Sequence, residues 1–519
     1  MKIRRAFIAG MCSAVLAASV LPASAEGGKT AFYEATKENV KLLGRTVYHE
    51  DALWFADSAA GVEFKATGTT VRFNIRISGD PTRVGVYVND KLVQRGVFGG
   101  KKTTEKMGSI TAELEEGENT VKLIKLSEGP QSSMSIQSIE IDEGASIKPA
   151  EAKEKKLEFI GDSITCGYGI DLPLKDPDTG KTNSFSTVSE DASKAYAYQL
   201  AEMFDADVSL FSGSGYGIWC NYGGGRDNIM EKFYKQCGPN TWNSISAKDY
   251  TLIQSYDWDF TQYQPQCIVI NLGTNDWSYF KSHMDETDNF EESYINFLKI
   301  VRENNPNAKI VCTLGLMGAD LFTEMDNAVD DYKAETGDSE VYTLELEPID
   351  ESSEGYAVDY HPLPASNTRA AEEELGPFIA ELMKWELGKM PDDGTLTLTP
   401  DNLVQGEFHE ENAETDDSSE NSSESSKAES SEVSSVVSEA SSSEASSSSE
   451  ASSASSEASS SGKAESESKT SSAAASNASS SKATVNPNQT NQNPTTGMAG
   501  GMAMIAIMGG AVIISKRKK

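Results

Sequence analysis

The chain of 519 residues has little histidine, cysteine and positive charge. Its 45 lysines and arginines are outnumbered by 80 aspartates and glutamates, giving a formal net charge of -35. This imbalance argues against nucleic acid or anionic lipid as a partner. The six cysteines are scattered, and no pair has the spacing typical of a zinc site. With only four histidines, few side chains can act as a base near neutral pH.

The N-terminus has the order of features found in a secretory signal peptide. A short basic segment, Met1 to Arg5, precedes an apolar run from Ala6 to Leu21, and Ala23-Ser24-Ala25 supplies the small residues that a signal peptidase requires. We therefore predict a signal peptide over residues 1–25, cleaved before Glu26.

The C-terminus, residues 493–519, resembles the sorting signal of Gram-positive surface proteins. The sequence Asn-Pro-Thr-Thr-Gly at 493–497 precedes an apolar run that reaches Ser515 and a basic tail. The resemblance implies that a sortase cuts between Thr496 and Gly497 and joins the chain to the cell wall. Asn stands where such signals usually begin with Leu, and a plain membrane anchor is the alternative.

Residues 391–492 are a linker followed by low-complexity sequence rich in Ser, Ala and Glu. Such a stretch has too little apolar surface to offset the entropy lost on ordering, so we predict a disordered stalk. With the two termini, it predicts a secreted protein held at the surface of a Gram-positive-type bacterium.

Residues 26–147 show short segments of alternating apolar and polar residues, separated by turn residues. This pattern predicts an all-β sandwich, for which a jelly roll is one arrangement. A linker is expected from Lys148 to Lys156. The predicted strands are Gly61–Ala66, Thr70–Ile77, Arg83–Val88, Asn119–Leu126 and Met134–Ile141.

Residues 156–390 change to apolar runs that alternate with segments of helical period, which predicts an α/β domain with a parallel sheet. Catalytic groups in such a sheet lie in the loops at the carboxyl ends of the strands. The predicted strands are Lys156–Ile160, Asp207–Phe211, Cys267–Leu272, Lys309–Leu314 and Glu340–Leu346, and the predicted helices are Ser193–Phe204, Phe290–Asn304 and Asn367–Leu387.

Four segments near these strand ends carry residues suited to nucleophilic catalysis. Ser163 follows Gly161-Asp162 at a strand-to-helix turn, a position that exposes a nucleophile beside a helix N-terminus. The loop at 212–217 is rich in glycine, which lets backbone N-H groups approach a reacting carbonyl. Asn275 offers a neutral side-chain donor. His361 is the one plausible base, because the other three histidines lie in the β unit, a polar stretch and the tail.

Together, in this order, the segments resemble the SGNH (GDSL) hydrolase superfamily. The resemblance implies that Ser163 is the nucleophile and its N-H an oxyanion donor, that Gly213 and Asn275 supply two more donors, and that His361 is the base. Gly215 is an alternative to Gly213. The acid nearest to His361 is Asp359, two positions earlier instead of the usual three. Either this carboxylate or a backbone carbonyl could orient the imidazole.

The folded region as a whole resembles carbohydrate esterase family 2, in which a jelly-roll domain precedes an SGNH domain. This likeness implies a monomeric acetyl xylan esterase-like enzyme that needs no cofactor or metal and removes acetyl groups from xylan, mannan or glucomannan. Trp277 would then be an aromatic platform for a sugar ring, although a core tryptophan is an alternative. Another esterase, lipase or acyltransferase, or a non-catalytic glycan-binding adhesin, remains possible as the function. Cys220 and Cys237 flank the glycine-rich loop and could form a disulfide.

Overall fold

The computed structural model describes residues 29–98, 106–239, 252–391 and 403–405. The predicted signal peptide, stalk and sorting signal lie outside the described residues, except for a short strand at 403–405 within the predicted linker. Within the described ranges, no helix is both long and apolar enough to cross a membrane.

The N-terminal part is a sandwich of two β-sheets, as the alternating segments predict. One sheet has the strand order β3-β4-β11-β6-β9 with β1 paired to β11, and the other has the order β12-β5-β10-β7-β8-β18 with β2 paired to β5. All pairs are antiparallel except β18 with β8. The strands are β1 Thr30–Tyr33, β2 Lys41–Leu43, β3 Thr46–His49, β4 Ala52–Phe55, β5 Gly61–Ala66, β6 Thr70–Gly79, β7 Thr82–Val88, β8 Lys91–Phe98, β9 Lys106–Glu113, β10 Asn119–Lys125, β11 Ser132–Asp142, β12 Ile147–Pro149 and β18 Leu403–Gln405.

The second part is built on a parallel sheet with the strand order β14-β13-β15-β16-β17. The chain runs from β13 to β14 on one side and then to β15 on the other, so the strand order reverses at β13. Ligands bind at such a reversal in open α/β sheets. The strands are β13 Lys155–Gly161, β14 Ala206–Ser212, β15 Cys267–Asn271, β16 Lys309–Leu316 and β17 Val341–Pro348.

Helices cover both faces of this sheet and bury its apolar side chains in two clusters. The predicted fold class, a β-sandwich followed by a parallel α/β domain, is confirmed. The helices are α1 Ser163–Cys166, α2 Tyr196–Met203, α3 Met230–Phe233, α4 Thr274–Phe280, α5 Asp288–Asn304, α6 Phe322–Thr336, α7 Pro364–Arg369 and α8 Gly376–Met383, with a π-helical stretch Ala370–Leu375.

The predicted last helix, Asn367–Leu387, is not a single regular helix. It starts at Pro364, widens into the π-helical stretch and ends at Met383. Pro377 lies at the start of α8, where proline lacks an N-H and its ring displaces the carbonyl four residues earlier. The interruption of the regular α-helix is explained by this residue.

Buried ion pairs join the sandwich to the α/β domain. Arg45 contacts Glu158 at 3.0 Å, and Arg95 contacts Asp191 at 2.9 Å, with both arginine side chains almost fully buried. The connection between the domains is also short. The predicted linker at 148–156 is partly wrong, because Lys148 and Pro149 pair with β5 as part of β12 and β13 already begins at Lys155.

The suggested disulfide is absent: Cys220 and Cys237 are both free and buried. The Cys220 N-H is held by the Asp276 carboxylate, whereas Cys237 packs in an apolar cluster with Trp54 and Trp258. Their proximity to the glycine-rich loop in sequence does not place the two thiols together.

Candidate active site

Three predicted site segments follow three adjacent strands of the sheet. Ser163 comes after β13, Gly213 after β14 and Asn275 after β15, so all three lie at the same edge. Ser163 is the first residue of α1, and the Asp162 side chain caps this helix by accepting the Ile164 N-H at 3.0 Å. The tight strand-to-helix turn positions the serine at the carboxyl edge of the sheet.

Ser163 and His361 are in hydrogen-bond contact across 198 positions of sequence. The distance from Ser163 Oγ to His361 Nε2 is 2.7 Å. Nδ1 of the same ring faces only carbonyl oxygens, so it must carry the hydrogen, and Nε2 accepts the hydroxyl proton. A base and a nucleophile in this relation are the elements of acyl transfer.

The imidazole is oriented by backbone carbonyls, one of the two alternatives that the sequence left open. His361 Nδ1 lies 3.3 Å from the carbonyl oxygen of Val358 and 3.2 Å from that of Asp359. The Asp359 carboxylate instead accepts the Tyr168 hydroxyl at 2.9 Å. The prediction that the Asp359 side chain completes a triad is therefore not supported by the hydrogen bonds. Asp359 and Tyr360 have φ values of 53° and 64°, a left-handed turn that brings both carbonyls to the ring.

Replacement of Asp359 by asparagine is expected to change kcat by less than about threefold. Asparagine tolerates the left-handed backbone at this position, so the two carbonyls stay on the ring. In a hydrolase whose carboxylate orients the histidine, the same change costs on the order of 10⁴ in kcat. Steady-state hydrolysis of a soluble acetyl ester distinguishes the two cases. A loss above a hundredfold would show that the carboxylate is the orienting group.

The His361 ring is a weaker base than free histidine because it is buried. Desolvation lowers its pKa from 6.5 to about 4, although the facing carbonyls and Asp359 oppose the shift. An imidazole accepts a proton only when neutral, which holds above its pKa. We therefore expect kcat/KM to persist to about pH 5 and to fall below that pH.

The measurement is the pH profile of kcat/KM, with folding checked at each pH. Burial also raises the pKa of Asp162, to about 7, so a limb at neutral pH could belong to that carboxyl. Burial likewise raises the pKa of Asp276, to about 6. An acid limb between pH 6 and 7 that persists in both Asp162→Asn and Asp276→Asn would contradict the assignment of a depressed pKa to His361.

The side-chain amide of Asn275 is buried beside Asp162. Its Nδ2 donates to the Tyr216 carbonyl at 2.7 Å and to Asp162 Oδ2 at 3.1 Å. The shorter bond fixes the orientation of the amide. The hydrogen of the longer bond is the one that Asn275 could donate to a developing oxyanion instead of to Asp162. The structure thus places Asn275 at the site and pairs its donors with protein groups.

Of the two glycine candidates, Gly213 lies closer to the nucleophile strand. Its N-H makes a long hydrogen bond of 3.3 Å to the carbonyl of Gly161, the last residue of β13. Gly215 has a φ of 80° and its carbonyl accepts the Tyr222 N-H at 2.9 Å, as expected for a turn residue. The geometry favours Gly213 as the backbone donor.

Asp276 organises the glycine-rich loop, a role that sequence reasoning missed. Its carboxylate accepts the consecutive N-H groups of Ile218, Trp219 and Cys220 at 2.9, 2.7 and 2.9 Å. A Cβ at Gly217 would lie 2.5 Å from this carboxylate, so only glycine fits there. The pair Asn-Asp by itself signals a turn. Only its position after a buried strand could have suggested that the Asp276 carboxylate has a structural role at the site.

Aromatic side chains of the predicted site segments differ in how accessible they are. Trp277 is half-buried against the core, and Tyr216 is fully buried in it. Tyr222 is 72% exposed, and its accessibility was not predicted from the sequence. The Tyr168 ring stacks on the Phe185 ring, with 3.8 Å between the ring centroids, and its centroid lies 4.5 Å from that of the His361 ring.

A cavity of about 420 Å³ lies beside Phe185, and both domains line it. Asp80, Pro81 and Gln131 come from the sandwich, whereas Ser186 and Val188 come from the α/β domain. Phe185 connects this cavity to the dyad only through the Tyr168 ring, which lies between Phe185 and His361.

Two family models match this chain. Residues 159–369 match the GDSL-like Lipase/Acylhydrolase family, and residues 42–150 match the Carbohydrate esterase 2 N-terminal family. These matches identify residues 159–369 as a GDSL-like hydrolase domain and residues 42–150 as an N-terminal domain of the carbohydrate esterase 2 type. Both matched ranges coincide with the two domains of the structure.

Individual relatives are named as esterases. The chain is 32% identical over 320 residues to "Cellulase/esterase CelE" of Acetivibrio thermocellus, covering 61% of this chain but only 36% of that protein. The structure of a family two carbohydrate esterase from Clostridium thermocellum in complex with cellohexaose is 28% identical, with a TM-score of 0.57, covering 67% of this chain and all of the other. The acetyl xylan esterase Est2A of Butyrivibrio proteoclasticus shares the fold, with 22% identity, a TM-score of 0.60, and coverage of 69% of this chain and 100% of Est2A.

Proposed function

We propose that this GDSL-like hydrolase is an exported serine esterase that removes O-acetyl groups from xylan, mannan or glucomannan of plant cell walls. The observation that carries the proposal is the 2.7 Å contact between Ser163 Oγ and His361 Nε2 at the edge where the strand order reverses. The relatives named as esterases support the reaction class, and the one solved with cellohexaose supports a polysaccharide chain as substrate.

The dyad performs the reaction in two displacements. Ser163 Oγ attacks the acetyl carbonyl carbon as Nε2 of His361 takes its proton, and the carbonyl oxygen becomes an oxyanion. The N-H groups of Ser163 and Gly213 and the amide of Asn275 stabilise that charge. His361 then protonates the sugar oxygen as it leaves, giving an acetyl-serine. Water, deprotonated by the same ring, attacks the acetyl group and releases acetate.

The test compares acetate release from acetylated xylan and acetylated glucomannan with hydrolysis of 4-nitrophenyl esters of two, eight and sixteen carbons. We expect acetate from the polymers and a steep loss of activity with acyl length. Tyr360, which precedes His361, and Tyr222, in the glycine-rich loop, are exposed and carry a hydroxyl, which suits contact with a sugar better than contact with a long acyl chain. Preference for the sixteen-carbon ester would contradict the proposal and indicate a lipase.

A glycan-binding adhesin without catalysis is the rival of a different class. It predicts that the purified chain binds acetylated xylan but releases no acetate. Acetate release that is unchanged in Ser163→Ala would also count against the esterase proposal, because the activity would then come from elsewhere.

The location at a Gram-positive-type cell surface, with the chain acting as a monomer, is also proposed. The cell-surface location is supported by the sequence of the two termini alone. Mass spectrometry of the cell-wall fraction of an expressing host is expected to find a chain that starts at Glu26 and ends at Thr496, linked to peptidoglycan. A chain that retains residues 497–519 in the membrane fraction would contradict covalent anchoring.

A further inference from the structure

One side chain of the β-sandwich reaches the loop that carries the backbone oxyanion donor. Glu128, in the connection between β10 and β11, is 1% exposed. Its Oε2 accepts the N-H of Ser214, the residue after Gly213, at 2.5 Å. A hydrogen bond to a carboxylate is stronger than one between neutral groups. The sandwich therefore holds the peptide unit next to the proposed donor.

The Gly213–Ser214 peptide is fixed from both sides. Its N-H is bound by Glu128, and its carbonyl accepts the Tyr216 N-H at 3.2 Å. Pro130, from the same sandwich segment as Glu128, packs on Gly213 so closely that a Cβ there would lie 2.9 Å from its ring. The Gly213 N-H keeps only the long bond to the Gly161 carbonyl, which an oxyanion can replace.

Glu128 is itself held by a buried polar network. Gln131 donates to its Oε1 at 2.8 Å, and its backbone N-H donates to Glu190 Oε1 at 3.0 Å. The Lys125 ammonium donates to its backbone carbonyl at 2.7 Å. Burial, and then the neighbouring Glu128 carboxylate, raises the pKa of Glu190 well above its ordinary value.

The same cluster contains three groups that could ligate a metal: Glu128, Cys166 and Glu190. Each of the three already has a hydrogen-bond partner in the protein: Ser214 and Gln131 for Glu128, the Glu128 N-H for Glu190, and the Ser163 carbonyl for Cys166. The contacts thus describe a network that joins the two domains at the glycine loop.

We infer that Glu128 is a positioning residue, through which the β-sandwich sets the orientation of the Gly213 N-H in the oxyanion hole. The inference rests on the proposed function. It makes the N-terminal domain part of the catalytic machinery, in addition to any role in binding glycan. Without the carboxylate, the Gly213–Ser214 peptide loses its strongest anchor, and a small displacement of an oxyanion donor is costly in rate.

The test uses three substitutions in the full chain, with 4-nitrophenyl acetate as the substrate. Glu128→Met fills the space but accepts no hydrogen bond, so kcat is expected to fall roughly ten- to a hundredfold while KM changes less than about threefold. Glu128→Gln retains an oxygen acceptor and is expected to restore kcat to within about threefold of the parent. Glu128→Asp shortens the side chain by one methylene, so its carboxylate no longer reaches the Ser214 N-H, and the variant is expected to behave like Glu128→Met. If Glu128→Met does not fold, Glu128→Asp takes its place in the test.

Lys122→Met is the matched control, since Lys122 also crosses the domain interface. It donates to Tyr198 and Glu202 of the α/β domain and makes no hydrogen bond to the glycine loop. We expect it to lower thermal stability while kcat changes less than about threefold. This separates positioning of the donor from general weakening of the interface.

The inference is overturned if folded Glu128→Met or Glu128→Asp keeps the parent kcat, or if Lys122→Met loses as much kcat as they do. Failure of the proposed function is a different result: the parent chain would then hydrolyse no acetyl ester, or Ser163→Ala would be as active as the parent.

Discussion

Replacement of Ser163 by alanine is expected to lower kcat for acetate release by about 10⁴- to 10⁶-fold, the usual cost of removing the nucleophile from a serine hydrolase. The lost atom is Oγ, which lies 2.7 Å from His361 Nε2. Acetate release from acetylated xylan, measured in parallel with thermal unfolding, checks the effect. Ser163 is 7% exposed, but the substitution removes only one oxygen from it, so we expect the fold to remain intact.

Ser212→Ala is the matched control for this change. Ser212 ends β14 at the same edge of the sheet, and its hydroxyl has no hydrogen-bond partner among the described residues. Its removal is expected to leave kcat within about twofold, because no bond is lost. Equal losses in the two serine variants would mean that the edge of the sheet, and not the Ser163 hydroxyl, is what the substitution disturbs.

Replacement of Asn275 by alanine is expected to lower kcat by about 10²- to 10³-fold, the cost of removing one oxyanion donor. KM should change much less, since the donor acts on charge that develops only in the transition state. The change also removes the donor that the amide offers to Asp162 Oδ2 at 3.1 Å. Separate determination of kcat and KM for 4-nitrophenyl acetate is the measurement.

The neighbouring residue provides the control for Asn275. The Thr274 hydroxyl has no hydrogen-bond partner among the described residues, so Thr274→Val keeps the shape of the helix start and should keep kcat within about twofold. If Asn275→Ala retains more than a tenth of the parent kcat, the amide is a structural clamp between Asp162 and Tyr216 and not an oxyanion donor.

The strand ends that carry the site were predictable, because buried parallel strands leave a strong apolar signal. The predicted Cys267–Leu272 and the observed Cys267–Asn271 differ by one residue, and Asn275 follows as expected. The gathering of Ser163, Gly213 and Asn275 at one edge then follows from the rule for parallel sheets. Their chemical roles could be predicted because these roles depend on the type of side chain and on the order of the strands.

The outer face of the sandwich was harder to interpret. Alternation in β7, β8 and β10 suggests a sheet with charges facing water, yet Arg83, Arg95 and Lys122 are buried. They form ion pairs with carboxylates of the α/β domain: Asp171, Asp191 and Glu202. A charge that pairs across a domain interface has the same sequence signature as one in solvent, so the sequence alone does not reveal the contact.

Roles played by the backbone leave no distinctive residue in the sequence. The group that orients His361 is a pair of carbonyls, which every residue possesses, and the left-handed turn at Asp359 and Tyr360 has no glycine to mark it. The sequence therefore left two alternatives open, a backbone carbonyl and the Asp359 carboxylate, because a carboxylate near a histidine also fits a known pattern. The bond of the Asp359 carboxylate to Tyr168 shows that nearness in sequence is a poor guide to which group faces a ring.

The most direct test of the central claim is to identify the residue that a serine-directed fluorophosphonate modifies. We expect mass spectrometry to find one phosphonyl group, on the peptide that contains Ser163, and esterase activity to fall in step with its formation. In His361→Ala the same labelling should slow by several orders of magnitude, because the hydroxyl loses its base. Full acetate release from a chain whose Ser163 is completely modified would contradict the account.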